Sequence, residues 1–200
     1  MTNSAPDGLR IALVYHGRDG PLGQVQELAT GLRDAGHRPC LLSSRRGRSR
    51  RYEEDGIPII QSGRLPEAPL RLRGFAGPLT HVPLTLWALA SGAYDVAHVF
   101  SPPDALAARL WQRVSGSPVV FTPAEPIQRE RLADRRLRLA LLRRAIDESD
   151  AVTATSGEGH DALRTWLAVD APLIPPRDAA AHERLYRGLL DTTADRRGVL

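Results

Sequence analysis

An open, doubly wound α/β sheet, single and parallel, with about six to seven strands and helices on both faces, is the fold this sequence predicts. Three observations predict it. Short apolar runs alternate with longer stretches of helical period along most of the chain. The runs are apolar on both sides, as strands covered on both faces must be. At most seven strands can be counted, fewer than the eight needed to close a β/α barrel. Two hundred residues suffice for one such core, since a chain of this size buries roughly 70% of its extended surface.

The elements follow in order. "LRIALVYH" (residues 9–16) is a buried strand. In "HGRDGPLGQVQELATGL" (16–32), Leu22, Val25, Leu28, Ala29 and Leu32 recur at helical spacing, and Gly36 stops that helix. "RPCLLSS" is the second strand, with Cys40 as a small core residue. "RRGRSRR" (45–51) reads as an arginine-rich loop, "GIPIIQSG" as a short strand, and "PEAPLRLRGFAGP" as a connection broken by proline and glycine. "LTHVPLTLWALASG" is a helix that holds Pro83 in its first turn or kinks there.

From there the alternation is regular. "YDVAHVF" is a strand, and "SPPDALAARLWQRVSG" is a helix with Ser101 as N-cap, proline just inside and Asp104 three residues on. "SPVVFT" is a strand and "IQRERLADRRLRLALLRRAIDESD" a long amphipathic helix. "AVTAT" is a strand, and Thr155 with Glu158 spells a capping box for the helix "EGHDALRTWLAV". "APLIPP" is a last short strand, "DAAAHERLYRGLL" a terminal helix, and "DTTADRRGVL" a polar tail expected to fray.

Composition narrows the function. A single cysteine excludes a disulfide framework and suits a reducing cytoplasm. No run approaches the ~18 apolar residues of a membrane span. "MTNSAPDGLR" has neither the basic start nor the apolar stretch of a signal peptide. All 27 basic residues are arginine and the net charge is +4. Arg45, Arg46, Arg48, Arg50 and Arg51 concentrate that charge; such a run suits nucleotide phosphates or anionic lipid, or is a solvated basic face. Aromatic residues are sparse and not interleaved with the arginines, so no nucleic-acid partner is expected. The six histidines show no metal-ligand spacing, and no G-x-S-x-G elbow is present. No metal and no cofactor are expected.

Gly17, Gly20 and Gly23 are spaced G-x-x-G-x-x-G, and the second strand ends in "SSRRG" without an acidic residue for a ribose. That departs from the dinucleotide fingerprint, and there is no Walker lysine. Two readings of the loop remain: a helix N-terminus that receives an anion or a sugar hydroxyl, or a plain turn. Ligands of open α/β sheets bind beyond the carboxyl ends of the strands. The polar residues there are His16, Ser43, Ser101, Thr122, Glu125, Thr155, Ser156 and Glu158. Helix capping explains Ser101, and Thr155 with Glu158, equally well. His98 lies within a strand and is read either as a core histidine or as part of the site.

The ordered set of segments resembles the N-terminal domain of family 4 glycosyltransferases, enzymes of the two-domain B-type fold. The matching pieces are "RIALVYHGRDGPLGQVQELATGLRDAGHRPCLLS", "YDVAHVFSPPDALAARL", "SPVVFT" and "ESDAVTATS". Two positions depart from the family's pattern. Leu22 stands at the first of two adjacent loop glycines, and Ala124, beside Glu125, stands where a histidine often follows the Thr122 strand. The final "LIPPRDAAAHERLYRGLL" is similar to the family's linker followed by its C-terminal helix, which crosses back onto the first domain.

The resemblance implies a Rossmann-like acceptor domain over 9–176, a returning helix over 177–190, disordered ends at 1–8 and 191–200, and no donor domain. It implies substrate-binding roles for Gly20, Gly23, Gln24, His98, Ser101, Thr122, Glu125 and Ser156, and no catalytic residue. The expected function is acceptor binding in a sugar transfer from a nucleotide-sugar, completed by a separate donor-domain subunit. The acceptor is a sugar or a lipid-linked molecule, and the chain is cytoplasmic or peripheral at the inner face of the plasma membrane, with the five arginines on anionic lipid. The alternatives are a non-catalytic binding or regulatory module that keeps the fold, and an unrelated nucleotide binder.

Overall fold

Ile11, Ala12, Leu13 and Val14 are wholly buried, so strand β1 (Arg10–Val14) needs a partner along each edge and a cover on each face. Both edges are paired in parallel. β2 (Arg38–Arg46) runs beside it from Arg10↔Arg38 to Val14↔Leu42, and β5 (Val96–Val99) lies on the other side from Ile11↔Val96 to Val14↔Val99. This computed structural model describes residues 8–16, 22–46, 48–64, 82–124 and 136–198. Its sheet is seven-stranded, in the order β3-β4-β2-β1-β5-β6-β7, with β3 (Arg50–Glu54), β4 (Ile57–Arg64), β6 (Val119–Phe121) and β7 (Ala151–Val152) completing it. Only β3 runs antiparallel to its neighbour.

Helices cover both faces. On one side α1 (Leu22–Asp34) and α6 (Ala179–Gly198) bring Val25, Leu28, Leu32 and Tyr186 against Ile11, Leu13, Val96 and Val120. On the other side lie α2 (Val82–Ser91), α3 (Pro102–Ser115), α4 (Arg136–Glu148) and α5 (Gly157–Leu167). They place Leu89, Trp111, Leu142 and Leu163 against Val14, Val99 and Phe121. Each fully buried Leu or Val side chain contributes about 1.5–3 kcal/mol over exposure, so the doubly covered sheet is the chain's main store of stability. No helix among the described residues is long and apolar enough to cross a membrane.

Local chemistry sets several boundaries where the sequence placed them. Ser101 caps α3, its side chain accepting from the Asp104 N–H, with proline in the first turn and Gly116 closing the helix at φ 69°. α1 ends at Gly36, where φ is 87° and the Gly36 and His37 amides fold back to the Arg33 and Leu32 carbonyls. A Cβ on Gly36 would meet nothing within 4 Å, so the cost of Gly36→Ala is backbone strain alone. A loss of about 1 kcal/mol in chemical unfolding is expected.

The structure corrects three expectations. The arginine-rich stretch is not a loop: β2 continues to Arg46, and β3 begins at Arg50. β3 turns through Asp55 and Gly56, both at positive φ (51° and 72°), into β4. Two residues in that conformation form the tight turn that matches strand twist. The last expected strand is reduced to a single bridge, Ala154↔Leu173, because its prolines remove ladder donors. The terminal helix does not stop at Leu190 but continues through Gly198, and the Thr192 and Thr193 hydroxyls donate to carbonyls one turn back. The connection at 66–78, the first part of the long basic helix, and residues 1–7 lie outside the described residues.

Candidate functional site

From β1 the chain crosses one face through α1 to β2, and from β4 it crosses the other face through α2 to β5. Strand order therefore reverses between β1 and β5, which makes the carboxyl ends of these two strands the switch point of the sheet. Open α/β sheets bind ligands at that position.

A buried polar cluster stands there. His16, just past β1, has its Nδ1 2.6 Å from Asp104 Oδ1, with side-chain exposures of 1% and 0%. The Ser101 hydroxyl donates to Asp104 Oδ2 at 2.6 Å and accepts from the Asp104 amide at 3.4 Å. Thr85 of α2 places its Oγ1 3.4 Å from His16 Nε2. Helix cap and carboxylate thus hold the imidazole between the end of β1, α2 and α3. Sequence reasoning put His16 and Ser101 at the carboxyl edge but did not make Asp104 or Thr85 site residues.

The other candidates divide by position. Gly23 and Gln24 lie in the first turn of α1; Gln24 is exposed, and a Cβ on Gly23 would meet nothing within 4 Å. Gly23 borders a shallow groove of about 520 Å³ that runs along α1 past Glu27 and Thr30 to Arg177; Gln24 is not part of its lining. Arg177 pairs with Glu27 at 2.9 Å, and that hydrogen bond holds the Glu27 carboxyl below its usual range. Ser156 sits at the carboxyl edge as the N-cap of α5, accepting from the Gly159 amide at 3.2 Å. It fills the capping position that the sequence suggested for Thr155. Gly20 and Glu125 lie outside the described residues.

His98 lies within β5, and Thr122 directly follows β6. Both are wholly buried. His98 Nδ1 is 2.7 Å from the Tyr186 hydroxyl of α6, and its Nε2 is 2.7 Å from Thr122 Oγ1, which in turn bonds the Thr153 hydroxyl. Phe100 stacks on the His98 ring at 4.5 Å, and His182 of α6 lies 5.6 Å away. Burial, and then the charge of His182, hold His98 well below the ordinary imidazole range. Burial pushes His182 down to about 4, against smaller upward pulls from the Pro175 carbonyl and Asp178. This interior network ties α6 to the sheet through Tyr186.

Arg50 and Arg51 lie on opposite faces of β3. Arg50 stacks over Tyr52, which packs against the α1 side of the sheet. Arg51, the next residue along β3, acts electrostatically on Cys40, which belongs to the opposite core. Successive strand residues point to opposite faces. Arg48 is exposed ahead of β3, and Arg45 and Arg46 close β2.

Comparison with known proteins identifies the architecture. The sequence profile described as a glycosyl transferase 4-like domain matches residues 19–176, most of the chain. The chain belongs to that family. No curated protein matches it by sequence.

Among solved structures, this glycosyl transferase 4-like domain is similar to two forms of sucrose-phosphate synthase from Thermosynechococcus elongatus. It aligns over 90% of its length with 98% of one form (TM-score 0.66, 21% identity), and over 84% with 48% of the other (TM-score 0.65, 19% identity). The first form is therefore much the shorter. An E. coli structure described as trehalose-6-phosphate bound with UDP-2-fluoro glucose matches 80% of this chain and 42% of its own (TM-score 0.56, 12% identity). The domain thus spans about half the length of these two longer neighbours, and it shares the fold of the part it aligns with.

Proposed function

We propose that this glycosyl transferase 4-like domain is the acceptor-side half of a glycosyltransferase. A second domain or partner chain would present the nucleotide-sugar across the β1–β5 carboxyl ends. The family match over residues 19–176 carries this reading. Two features support it: the switch point between β1 and β5, and α6, which is anchored on the sheet through Tyr186. One neighbour is a complex with UDP-2-fluoro glucose, which suggests a uridine diphosphate sugar as the first donor to test. In this arrangement the open start of α1 at Gly23 admits the substrate, while preorganised donors and cationic groups shared with the second domain stabilise the leaving diphosphate.

A non-catalytic binding module is the second reading, favoured by one observation. Ala124, a partly buried core neighbour, stands where the resembling family often carries a histidine.

The test is co-expression with any donor-domain chain encoded beside this one, followed by an assay of UDP-glucose consumption with and without added acceptor. Turnover by the pair supports the transferase. Binding of the two chains without turnover, across the common nucleotide-sugars, supports the module. Gly23→Trp gives a sharper readout. A Cβ at Gly23 meets nothing within 4 Å and the change replaces a helical glycine, so stability should change by no more than about 1 kcal/mol. Turnover by the pair should fall at least about tenfold if the start of α1 faces substrate, a loss equivalent to about 1.4 kcal/mol. An unchanged rate would remove Gly23 from the site.

A further inference from the structure

β3 is the outermost strand of the sheet, with no strand beyond it among the described residues. Its sequence is Arg50-Arg51-Tyr52-Glu53-Glu54, with both arginines and both glutamates exposed. Charges on an edge strand normally prevent edge-to-edge pairing. This pattern does the opposite toward one partner, because it reads as its own complement when reversed. We propose that β3 pairs antiparallel with β3 of a second copy of this chain, about a two-fold axis at Tyr52.

The backbone register fits that pairing. β3 faces β4 with Arg50↔Gln61, Arg51↔Ile60, Tyr52↔Ile59, Glu53↔Pro58 and Glu54↔Ile57. Pro58 has no N–H, so the Glu53↔Pro58 pair cannot exchange two hydrogen bonds. The two-residue turn at Asp55-Gly56 makes Glu54↔Ile57 the closing bonded pair. Bonded and non-bonded pairs alternate in an antiparallel ladder. Tyr52 and Arg50 therefore bond inward to β4, and Arg51 and Glu53 turn their N–H and C=O groups outward. A two-fold axis at Tyr52 sets Arg51 opposite Glu53 of the second copy, so the outward groups meet as bonded pairs.

The same axis places Arg50 opposite Glu54 on one face, and the Arg51–Glu53 pairs lie on the other. Opposite charges meet at all four charged positions. A parallel arrangement would set arginine against arginine and glutamate against glutamate, which is repulsive. One strand pair covers less than the roughly 1,200 Å² of a standard stable interface. The dimer is accordingly weak, reversible and salt-sensitive, and the association is isologous and closes on itself.

Sedimentation of the full chain between about 10 µM and 1 mM, the range suited to so small an interface, tests this. The wild type should pass from monomer to dimer, with the Arg51 and Glu53 amides gaining exchange protection as concentration rises. Glu53→Arg with Glu54→Arg, and separately Arg50→Glu with Arg51→Glu, should each weaken self-association at least about tenfold, because every attractive pair becomes repulsive. An equimolar mixture of the two variants should form a heterodimer. Exchanging all four charges in one chain keeps the pattern complementary to itself and should restore the homodimer, which separates lost pairing from lost folding. A wild type that stays monomeric to about 1 mM, or charge-reversed variants that dimerise as well as wild type, would overturn the proposal. Neither result bears on the transferase reading.

Discussion

Acidification from about pH 7 to about pH 4 is expected to remove a large share of the protein's stability, before most surface carboxylates titrate. The cause is the pair of buried histidines between the sheet and α6. Both His98 and His182 have folded pKa values below the ordinary imidazole value of 6.5, His182 at about 4. The unfolded chain therefore binds protons in this window that the folded chain refuses. Stability is fully present above about pH 6.5 and is lost as pH falls toward about 4, with each histidine contributing up to about 1.4 kcal/mol per pH unit. For His182 the loss accumulates to about 3 kcal/mol, comparable with a good part of a typical domain's 5–15 kcal/mol.

Chemical unfolding at several pH values should show this slope, and His182→Gln should remove about one proton from it. A wild-type slope near zero between about pH 6.5 and 4.5 would show that neither ring is held neutral. Glu27 and Glu183 act in a separate, lower window. Their arginine hydrogen bonds depress the folded pKa, so their share is present above the ordinary carboxylate range and is lost below it. Tyr186→Phe should cost about 1–3 kcal/mol at neutral pH, since it leaves His98 Nδ1 buried without its partner.

The contrast between His98 and His16 marks how far the sequence can be read. Apolar runs announced β1, β2, β5 and β6, because a strand covered on both faces cannot disguise its composition. The α3 cap was equally legible, since Ser101, proline and Asp104 act within one turn. β3 was not, because "RRYEE" has no apolar face and is held by a turn and one neighbour. Its positive-φ turn residues, Asp55 and Gly56, were the missed local signal.

The site was legible to the level of an edge. Fold class predicts that ligands gather at strand ends, and His16, Ser101 and Ser156 are there. Which polar residues meet depends on packing between elements far apart in sequence. His16 and Asp104 are separated by 88 residues, as are His98 and Tyr186. No local pattern distinguishes the histidine that is drawn under α6 from the one held at the switch point.

Removing the Asp104 carboxylate should be the most damaging single change at the switch point. Asp104→Ala strips the partner from His16 Nδ1 and from the Ser101 hydroxyl together, in a place closed to water. Each buried hydrogen-bonding group left without its partner costs about 1–3 kcal/mol, and here two are left. Asp104→Asn keeps the shape and one acceptor oxygen, so it should cost less. His16→Ala alone should also destabilise, but adding it to Asp104→Ala should cost little more. That leaves a coupling of about 1–3 kcal/mol in a double-mutant cycle. Additive losses would mean that the two residues stabilise the fold separately and that the contact carries no energy of its own. The coupling matters beyond stability, because apolar groups could fill the same volume at no net cost. A polar tie among the end of β1, α2 and the first turn of α3 fixes His16 and the cap of α3 in one geometry at the switch point.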